Sequence, residues 1–450
     1  MPVLDDALNS VEDFVTWVEL RHPGEVEFHQ AVRGVVGNVI DIAREDPDFR
    51  KYAVLQRLAE PDRSIRFRVT WVDDAGEMHI SRGYRVQHSN ALGPYKGGLR
   101  FDPTVNPSIL NFLSFEQVFK NSLTGLNLGG GKGGSDFTTK GRSDNEVMRF
   151  CYAFMTELHR HIGPRTDVPA GDIGVGAREI GYLWGQYKRL ENQFSGAMTG
   201  KVVGAGGSEL REEATGYGAV YFLGEMLADV GDDLAGKTVT VSGAGNVAIH
   251  AAERAASLGA TVVTLSNRKG CLIKEDGFNV KEVRDVERVY VETKDLGEAG
   301  ESVGARYVDG GKPWTVPCDI AIPSATQNEI DVDDARALID NGCKIVVEGA
   351  NMPVTHEASE LLFESGVTIA PGKAANAGGV AVSGFEMSQN QSGQIWSAEH
   401  ADEALREIMK GIYQRTRAES DMDGRVHLCR GADRAGFRRV ARAVAWIGAM

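Results

Sequence analysis

Apolar residues near the start of the chain recur at the spacing of a helix. Val11, Phe14 and Val18 lie three or four positions apart, and this spacing places them on one face of a helix. Similar apolar positions continue to Ile42, where a polar break follows. We therefore expect residues 7–60 to form helices that pack through one apolar side.

The next stretch switches to an alternation with a period of two. Residues 65–72 alternate apolar and polar side chains, residues 73–76 supply turn residues, and the alternation returns over residues 78–86. This arrangement predicts a β-hairpin. From Gly93 to Gly176, glycine, lysine and aspartate are frequent in short loops between helical stretches. Such a composition favours the wall of a cleft over a core.

Strands and helices alternate in the second half of the chain, after a glycine-rich stretch at Thr199–Gly207. We expect that stretch to be a domain boundary and a hinge, since it carries few bulky side chains. Five short apolar segments predict strands, at Thr238–Val241, Thr261–Leu265, Asp319–Ile322, Lys344–Val347 and Val367–Ala370. Strands that alternate with helices predict βαβ units and a parallel sheet.

The remainder of the chain reads as helix again, over residues 401–416 and 432–447. We expect these helices to pack back on the first domain. The predicted division is therefore a first domain of residues 1–200, a second of 201–380 and a C-terminal helical segment of 381–450.

Composition narrows the class of protein. A chain of 450 residues is too long for one ordinary core, so two domains are expected. Its net charge of -14 opposes binding to nucleic acid or an anionic membrane, because both require a basic surface. No secretory leader or membrane span is expected. Five scattered cysteines without a CxxC pair predict reduced thiols in a cytoplasmic protein: Cys151, Cys271, Cys318, Cys343 and Cys429.

A glycine-rich turn follows the first strand of the second half. The strand Thr238–Val241 leads into a GxGxxA pattern that includes Gly243, Gly245, Asn246 and Val247. The first glycine permits a tight turn, and the second lets a pyrophosphate approach the backbone at the start of a helix. A strand before and a helix after it are the context that a dinucleotide site requires. The alternative, a glycine turn in another kind of α/β protein, stays open on this pattern alone.

The end of the following strand indicates which dinucleotide is bound. NAD-binding folds usually place a carboxylate there for the ribose 2′-hydroxyl, whereas this chain has Ser266, Asn267, Arg268 and Lys269. A hydroxyl and two cations suit a 2′-phosphate. We therefore predict NADP(H), with NAD the less favoured cofactor. The alternative is that Arg268 and Lys269 belong only to a solvated turn.

Three lysines of the first half lie in glycine-rich or polar surroundings. Lys96 and Lys120 are suited to pair with the two carboxylates of a dicarboxylic acid. Lys132 has glycines on both sides, and we expect it in a loop of special geometry. That loop is not a phosphate-binding P-loop, because Leu126 stands where the first glycine of the pattern belongs.

The chemistry suited to these lysines is amino-acid oxidoreduction. A lysine partly desolvated near other cations has a lowered pKa, so Lys132 is a candidate base. Asp172, in a loop bounded by glycines, is a candidate proton shuttle. Taken alone, Asp172 would be read as an ordinary cap or turn residue.

Several blocks of the sequence resemble the signature blocks of glutamate dehydrogenases, most closely the short hexameric class. They lie at Gly93–Pro103, Glu116–Phe137, Thr166–Gly176, Glu213–Gly218 and Gly378–Asn390. The resemblance runs through nearly the whole chain. Two positions depart from the usual family residues: Glu212 stands where the family often has proline, and Leu126–Leu128 differs from the usual sequence before the three glycines.

The resemblance implies roles for particular residues. For the substrate they are Lys96 and Ser383 on the side-chain carboxylate, Gln117 and Lys120 on the α-carboxylate, Lys132 as the catalytic lysine and Asp172 as the proton shuttle. Thr215 and Asn351 would lie near the nicotinamide, and Asn376 would face the active cleft. The implied reaction interconverts L-glutamate with 2-oxoglutarate and ammonium.

The implied fold class is α/β with two domains separated by a cleft. An N-terminal α/β domain binds substrate and makes the subunit contacts of a homohexamer, and a Rossmann-like domain binds the dinucleotide. Two alternatives remain, a dehydrogenase of another amino acid in the same superfamily and a catalytically silent nucleotide-binding scaffold. The first would need an apolar side-chain pocket, which disagrees with Lys96 and Ser383.

Overall fold

The computed structural model describes residues 6–448 and divides the chain into two compact units. Unit 1 runs to Glu209 and takes in Val382–Ala401 and the chain from Asp433 onward, and unit 2 comprises Leu210–Ala381 and Asp402–Ala432. The division after Glu209 lies beyond the predicted boundary at residue 200. The C-terminal segment follows the prediction in part: Val382–Ala401 and the chain from Asp433 onward belong to unit 1, whereas Asp402–Ala432 belongs to unit 2.

The N-terminal half contains the helices and the hairpin that the hydrophobic pattern predicted. Its elements are α1 (Val11–Arg21), α2 (Val26–Glu45), α3 (Pro47–Lys51), α4 (Val54–Leu58), β1 (Arg63–Val72), β2 (Met78–Ser89), β3 (Tyr95–Phe101), α5 (Pro107–Leu123), β4 (Gly130–Ser135), α6 (Asp144–Leu158), β5 (Asp167–Gly171) and α7 (Ala177–Glu191). The five strands form one sheet in the order β1-β2-β4-β3-β5. Strand β3 is parallel to both of its neighbours, β4 and β5.

Two large apolar clusters stabilise unit 1, and each involves helices that pack through one face. One joins α1, α2 and α5 to the C-terminal end of the chain around Phe28, Phe115 and Phe437. The other lies between the sheet and helices α6 and α7, where the rings of Phe137 and Phe150 stack with centroids 3.7 Å apart. Burial of such rings is a main source of stability.

Unit 2 is built on a seven-stranded sheet. Its elements are α8 (Ala214–Asp229), β6 (Thr238–Val241), α9 (Asn246–Ser257), β7 (Thr261–Ser266), β8 (Gly270–Phe278), α10 (Val280–Thr293), α11 (Leu296–Glu301), β9 (Arg306–Asp309), β10 (Ile320–Ile322), α12 (Val332–Asp340), β11 (Ile345–Val347), α13 (His356–Glu364), β12 (Thr368–Ala370) and α14 (Gly372–Ala375). The C-terminal elements are α15 (Gly378–Ser392), α16 (Ala398–Ala418), β13 (Asp421–Met422), β14 (Arg425–Val426) and α17 (Leu428–Ile447).

The sheet of unit 2 has the order β12-β11-β10-β6-β7-β8-β9. All five predicted strands are present and mutually parallel. The expected parallel sheet is formed by these five strands, and at one edge it is extended by β8 and β9, which run antiparallel. The reversal occurs at Asn267, whose Oδ1 accepts from the amides of Lys269 (2.8 Å) and Gly270 (3.1 Å) and so closes a tight turn after β7.

The glycine-rich stretch at Thr199–Gly207 is anchored within unit 1. The ammonium of Lys201 pairs with the carboxylate of Glu386 on α15, and both side chains are almost fully buried. The same carboxylate accepts from the amide of Gly200 at 2.8 Å. Asn390, one turn further along α15, donates to the carbonyl oxygen of Gly206 at 2.7 Å. These bonds hold the stretch against α15.

The helices of residues 6–448 include none with the length and apolar character needed to cross a bilayer. Within the same residues, the His, Cys, Asp and Glu side chains form no group of three or more that could hold a metal ion. All five cysteines are free thiols, and only Cys429 is not buried.

Candidate active site

Lys132 lies at the centre of strand β4, and the prediction of a loop around it was wrong. Strand β4 pairs with β2 on one side and with β3 on the other. Glycine has a low intrinsic preference for strands, so the local sequence gave no indication of one. The strand forms because its neighbours leave room only for backbone at these positions.

Contacts around the glycines of β4 show how little room there is. A β-carbon on Gly130 would lie 2.3 Å from Cγ2 of Val118 on α5, which packs directly on the strand. On the neighbouring strand, a β-carbon on Gly97 would lie 1.6 Å from the carbonyl oxygen of Gly131. Such close approach requires glycine. It fixes the backbone on both sides of Lys132.

The side chain of Lys132 ends against a carboxylate. Its Nζ donates to Oδ1 of Asp172 at 2.7 Å, and only 5% of the lysine is exposed. Burial lowers the pKa of Lys132, as do the charges of Arg100 and Arg85, while Asp172 opposes the shift. The direction of the pKa shift agrees with the prediction, and the charges that contribute to it are those of arginines.

Asp172 follows strand β5 directly and lies in a tight turn closed by a bridge to Val175. Its second oxygen, Oδ2, accepts from Nε of Arg100 at 2.7 Å. Burial alone would raise the pKa of Asp172, but the charges of Lys132 and Arg100 and their hydrogen bonds hold it well below its usual range. Asp172 is therefore a carboxylate that remains ionised between two cations.

Arg100 is a residue of the site that the sequence did not single out. It lies on β3, where Arg100 pairs in register with Gly134 of β4. The available signal was its place in the block Gly93–Pro103, four positions after Lys96. Residues four apart on a strand point to the same side, so Arg100 and Lys96 share one face of β3.

A second buried ion pair supports the sheet beneath the lysines. Arg85 on β2 makes a bidentate pair with Asp167 on β5, and neither side chain is exposed. The guanidinium also donates to the carbonyl oxygen of Gly97 at 3.1 Å. Gln87 donates to the same carboxylate at 3.0 Å. Arg85 thus connects β2, β3 and β5, the strands that surround and carry the lysines.

The predicted substrate residues of β3 and α5 come together in unit 1. Gln117 lies on α5 with its Cγ close to Gly97, and its amide donates to Oδ1 of Asn121 at 2.7 Å. Asn121 in turn donates to the carbonyl oxygen of Lys96 at 3.1 Å. Lys96 is 1% exposed, whereas Lys120, one turn along α5 from Gln117, is half-buried. Asn121 therefore connects Gln117 to the backbone of Lys96, and Lys120 lies on the same helix as both amides.

Ser383 belongs to the same unit although it is distant in sequence. It lies on α15, and 2% of it is exposed. The next residue, Gly384, packs against Leu126 and Leu128, so that a β-carbon there would lie 2.6 Å from Cδ1 of Leu126. This contact brings α15 to the segment just before β4. The departure from the family pattern at Leu126–Leu128 thus falls at a packing contact and not at a charged group.

The predicted dinucleotide turn has the expected form in unit 2. Gly243 follows β6 with a φ of +93°, a value that favours glycine. Gly245 caps helix α9, which begins at Asn246. Gly245 and Asn246 are exposed and Val247 is partly exposed, so the free amides of the first turn are open to an anion such as a pyrophosphate.

At the end of β7, one buried hydroxyl accepts a hydrogen bond from the dinucleotide turn, and two exposed cations follow it. The hydroxyl of Ser266 accepts from the amide of Gly243 at 3.0 Å, and Ser266 is 5% exposed. Arg268 and Lys269 are exposed. Neither cation forms an ion pair with any other residue of the range 6–448. They are therefore open to an anionic group beside the dinucleotide turn.

Thr215, Asn351 and Asn376 also lie in unit 2. Thr215 is in the first turn of α8, and its hydroxyl would lie 2.6 Å from a β-carbon on Gly379. Asn376 follows α14 and donates to Oδ1 of Asn351 at 3.0 Å. The two asparagines are therefore neighbours.

Comparisons with known proteins agree along the whole chain. Residues 206–448 match the family described as Glutamate/Leucine/Phenylalanine/Valine dehydrogenase, and residues 61–189 match its dimerisation domain. The chain is 51% identical over 444 residues to the NADP-specific glutamate dehydrogenase of Psychrobacter sp. (strain TAD1), which covers 98% of the chain and 99% of the relative. It is 50% identical to the NAD-specific glutamate dehydrogenase of Bacteroides fragilis (strain YCH46), with 97% and 98% covered.

A solved structure with the same fold is the crystal structure of Plasmodium falciparum glutamate dehydrogenase. It superposes with a TM-score of 0.95 at 47% identity and covers 99% of this chain and 96% of that one. The likeness therefore extends to both units.

Proposed function

Because the chain belongs to the Glutamate/Leucine/Phenylalanine/Valine dehydrogenase family, we propose that it interconverts L-glutamate with 2-oxoglutarate and ammonium, using NADP(H). The observation that carries this proposal is the buried lysine of β4 paired with Asp172, in the unit that also contains Lys96 and Lys120. The ammonium of a lysine is a suitable partner for a carboxylate. A dicarboxylate offers one carboxylate more than an apolar amino acid does.

The residues of unit 1 have distinct tasks in this reaction. Lys96 with Ser383, and Gln117 with Lys120, hold the two carboxylates and so fix the α-carbon. When bound, the nicotinamide supplies or accepts the hydride at that carbon. In the direction of amination, ammonia adds to the keto carbon and the resulting hydroxyl must leave as water. Lys132 donates the proton that this departure requires, and Asp172 stabilises the lysine as its charge changes.

The residues of unit 2 fit a phosphorylated dinucleotide. The exposed amides at the start of α9 suit the pyrophosphate. Ser266, Arg268 and Lys269 offer a hydroxyl and two cations where NAD-binding folds usually have a carboxylate. The NADP-specific relative supports this choice, and the NAD-specific relative of similar identity makes the cofactor the property to measure first.

The proposal includes a cytoplasmic homohexamer. Its support is the resemblance to the short hexameric class and the match of residues 61–189 to a dimerisation domain. Light scattering should then give six times the chain mass of 48.7 kDa. A monomer at micromolar concentration would contradict this part of the proposal.

A coupled assay tests the reaction itself. Oxidation of NADPH should require 2-oxoglutarate and ammonium together, and should be faster than oxidation of NADH. Lys132→Ala should abolish turnover while NADPH binding, followed by its fluorescence, changes little. Lys140→Ala, at an exposed lysine of the same unit, is the matched control. No turnover in the native protein would refute the reaction, and full activity in Lys132→Ala would refute the catalytic assignment.

A further inference from the structure

One face of strand β3 is shaped to hold Asp172. Every second residue of a strand points to the same side. Lys96, Gly98 and Arg100 are spaced in this way along β3. Gly98 lies between the two cations, and a β-carbon on it would come within 2.8 Å of Cβ of Asp172. The missing side chain therefore makes the space in which Asp172 sits, next to the guanidinium of Arg100.

The same face continues onto β4. Leu99 pairs with Gly133 and Arg100 with Gly134 in the parallel register, which sets Lys132 beside Gly98. The two oxygens of Asp172 are then shared between strands. Oδ1 accepts from Lys132 on β4 and Oδ2 accepts from Arg100 on β3, each at 2.7 Å. The side chains of Asp172 and Arg100 are each 15% exposed.

This sharing decides which group of the pair can hold a mobile proton. A carboxylate paired with a single lysine can take the lysine's proton and neutralise both groups. With Arg100 on the other oxygen, that transfer would leave a guanidinium beside a neutral acid in a largely buried site, which is costly. Arginine remains charged at any pH at which the protein is folded, so the carboxylate remains charged as well.

Resting on the proposed function, we propose that Arg100 is a positioning residue: it holds Oδ2 of Asp172, reserves Oδ1 for Lys132, and makes the lysine the group that gains and loses the proton. Arg100 acts through Asp172. The guanidinium also repels the ammonium of Lys132, which favours the neutral amine.

Other charged groups of unit 1 do not replace Arg100. The charge of Arg85 on β2 also lowers the pKa of Lys132, but it is balanced by the bidentate pair with Asp167. Lys96 on β3 and Lys120 on α5 are the cations assigned to the substrate. Glu116 on α5 is partly exposed. Arg100 is thus the cation that is bonded directly to the lysine's own partner.

Replacement of Arg100 tests the proposal without relying on turnover. Acetylation of Lys132 by acetic anhydride, quantified by peptide mass spectrometry across a pH series, reports the fraction of neutral amine in the free protein. In Arg100→Gln the positive charge that repels the ammonium of Lys132 is removed, and Asp172 no longer pairs with a second cation. Both changes favour the ammonium form of Lys132, so the pH at the midpoint of acetylation should rise by about one unit or more. In Arg100→Lys, which keeps the charge, the midpoint should move by less than half as much.

Arg149→Gln provides a matched control. Arg149 makes a similar pair with Asp74, at 2.6 Å, elsewhere in unit 1. Its removal should leave the midpoint for Lys132 unchanged. The alkaline limb of kcat/KM against pH for 2-oxoglutarate, where the protonated lysine is lost, should shift upward in Arg100→Gln, in step with acetylation, and not in Arg149→Gln.

An unchanged acetylation midpoint in a folded Arg100→Gln protein would overturn the proposal, even if activity fell. If Arg100→Gln does not fold, the Arg100→Lys variant provides the test. A midpoint of acetylation shifted by a full pH unit in that variant would show that the retained positive charge has no effect, and would contradict the proposal. If the native protein lacks turnover but the midpoint shifts as expected, the proposed reaction fails while the role of Arg100 stands.

Discussion

Gly97 on β3 and Gly131 on β4 approach so closely that a β-carbon on Gly97 would fall 1.6 Å from the carbonyl oxygen of Gly131. That oxygen belongs to the residue just before Lys132. Backbone cannot yield as the end of a flexible side chain can. The position of the lysine therefore depends on the absence of a methyl group on the neighbouring strand.

Gly97→Ala should consequently lower both stability and activity. Overpacking of a core typically costs about 1–3 kcal/mol and sometimes more, and a displacement of Lys132 by about 1 Å could reduce turnover roughly a hundredfold. Urea unfolding and steady-state rates measure the two effects. Gly181→Ala is the control, because beyond the neighbouring residues and backbone of helix α7 itself no atom lies within 4 Å of its β-carbon position. A similar loss in both variants would contradict the packing argument.

Asp172→Asn should lower turnover about 10²–10⁴-fold, the usual contribution of a group that assists proton transfer. Its effect on stability should depend on pH. The pKa of Asp172 is lowered in the folded protein, so the carboxylate contributes stability above its unfolded value of about 3.9. That contribution is lost as the pH falls through the folded value.

The difference in unfolding free energy between native protein and Asp172→Asn should therefore be constant from pH 7 to about 5 and shrink in more acidic solution. Urea titrations at several pH values measure it. A difference that grows on acidification would show that Asp172 is protonated in the native state.

The two exposed cations after β7 should determine the preference for NADPH. Replacing both Arg268 and Lys269 by serine removes charged partners worth about 1.5–3 kcal/mol each when they contact phosphate. The KM for NADPH should rise at least roughly tenfold, with little change for NADH. Lys281→Ser, at an exposed lysine of α10, controls for general charge. Equal changes with both cofactors would show that these cations do not read the 2′-phosphate.

Ser266→Asp should shift preference toward NADH by a different route. The new carboxylate would still accept from the amide of Gly243, as the hydroxyl does at 3.0 Å, but would repel a 2′-phosphate. The ratio of kcat/KM for NADPH to that for NADH measures this. An unchanged ratio with normal stability would place recognition of the phosphate elsewhere.

The buried pair of Lys201 and Glu386 should be a strong stabilising contact. Glu386→Gln leaves the ammonium without its counter-charge, at a cost of about 3–5 kcal/mol. Adding Lys201→Met removes the unpaired charge, so the double variant should be more stable than Glu386→Gln alone. Urea midpoints measure both. Additive losses in the double variant would contradict a direct coupling.

Features that depend on local sequence could be predicted. The hairpin of β1 and β2 follows from its alternation, and the turn at Gly243 follows from a strand, two glycines and a helix in immediate succession. The five parallel strands of unit 2 were recognised for the same reason. Each of these elements is specified by residues within a short window.

Features that depend on residues distant in sequence could not be predicted. Strand β4 is a strand because Val118 and Gly97 pack on it, although its own residues favour a loop. Arg100 meets Asp172 only because β3 lies between β4 and β5. The edge strands β8 and β9 were not predicted, and they follow a turn at Asn267 that reverses the chain directly after β7.

The glycines around Lys132 also affect how this enzyme can vary. On β3 and β4 the shape of the site depends on glycines that have no β-carbon, and each of the nineteen other amino acids would add one. A saturation library across Gly97, Gly98, Gly130 and Gly131 should therefore contain almost no functional members, whatever substrate is selected for. Laboratory evolution of a new specificity would have to draw its variation from side chains proposed to contact the substrate, such as Lys120 and Ser383, and leave the strands that carry the lysine unchanged.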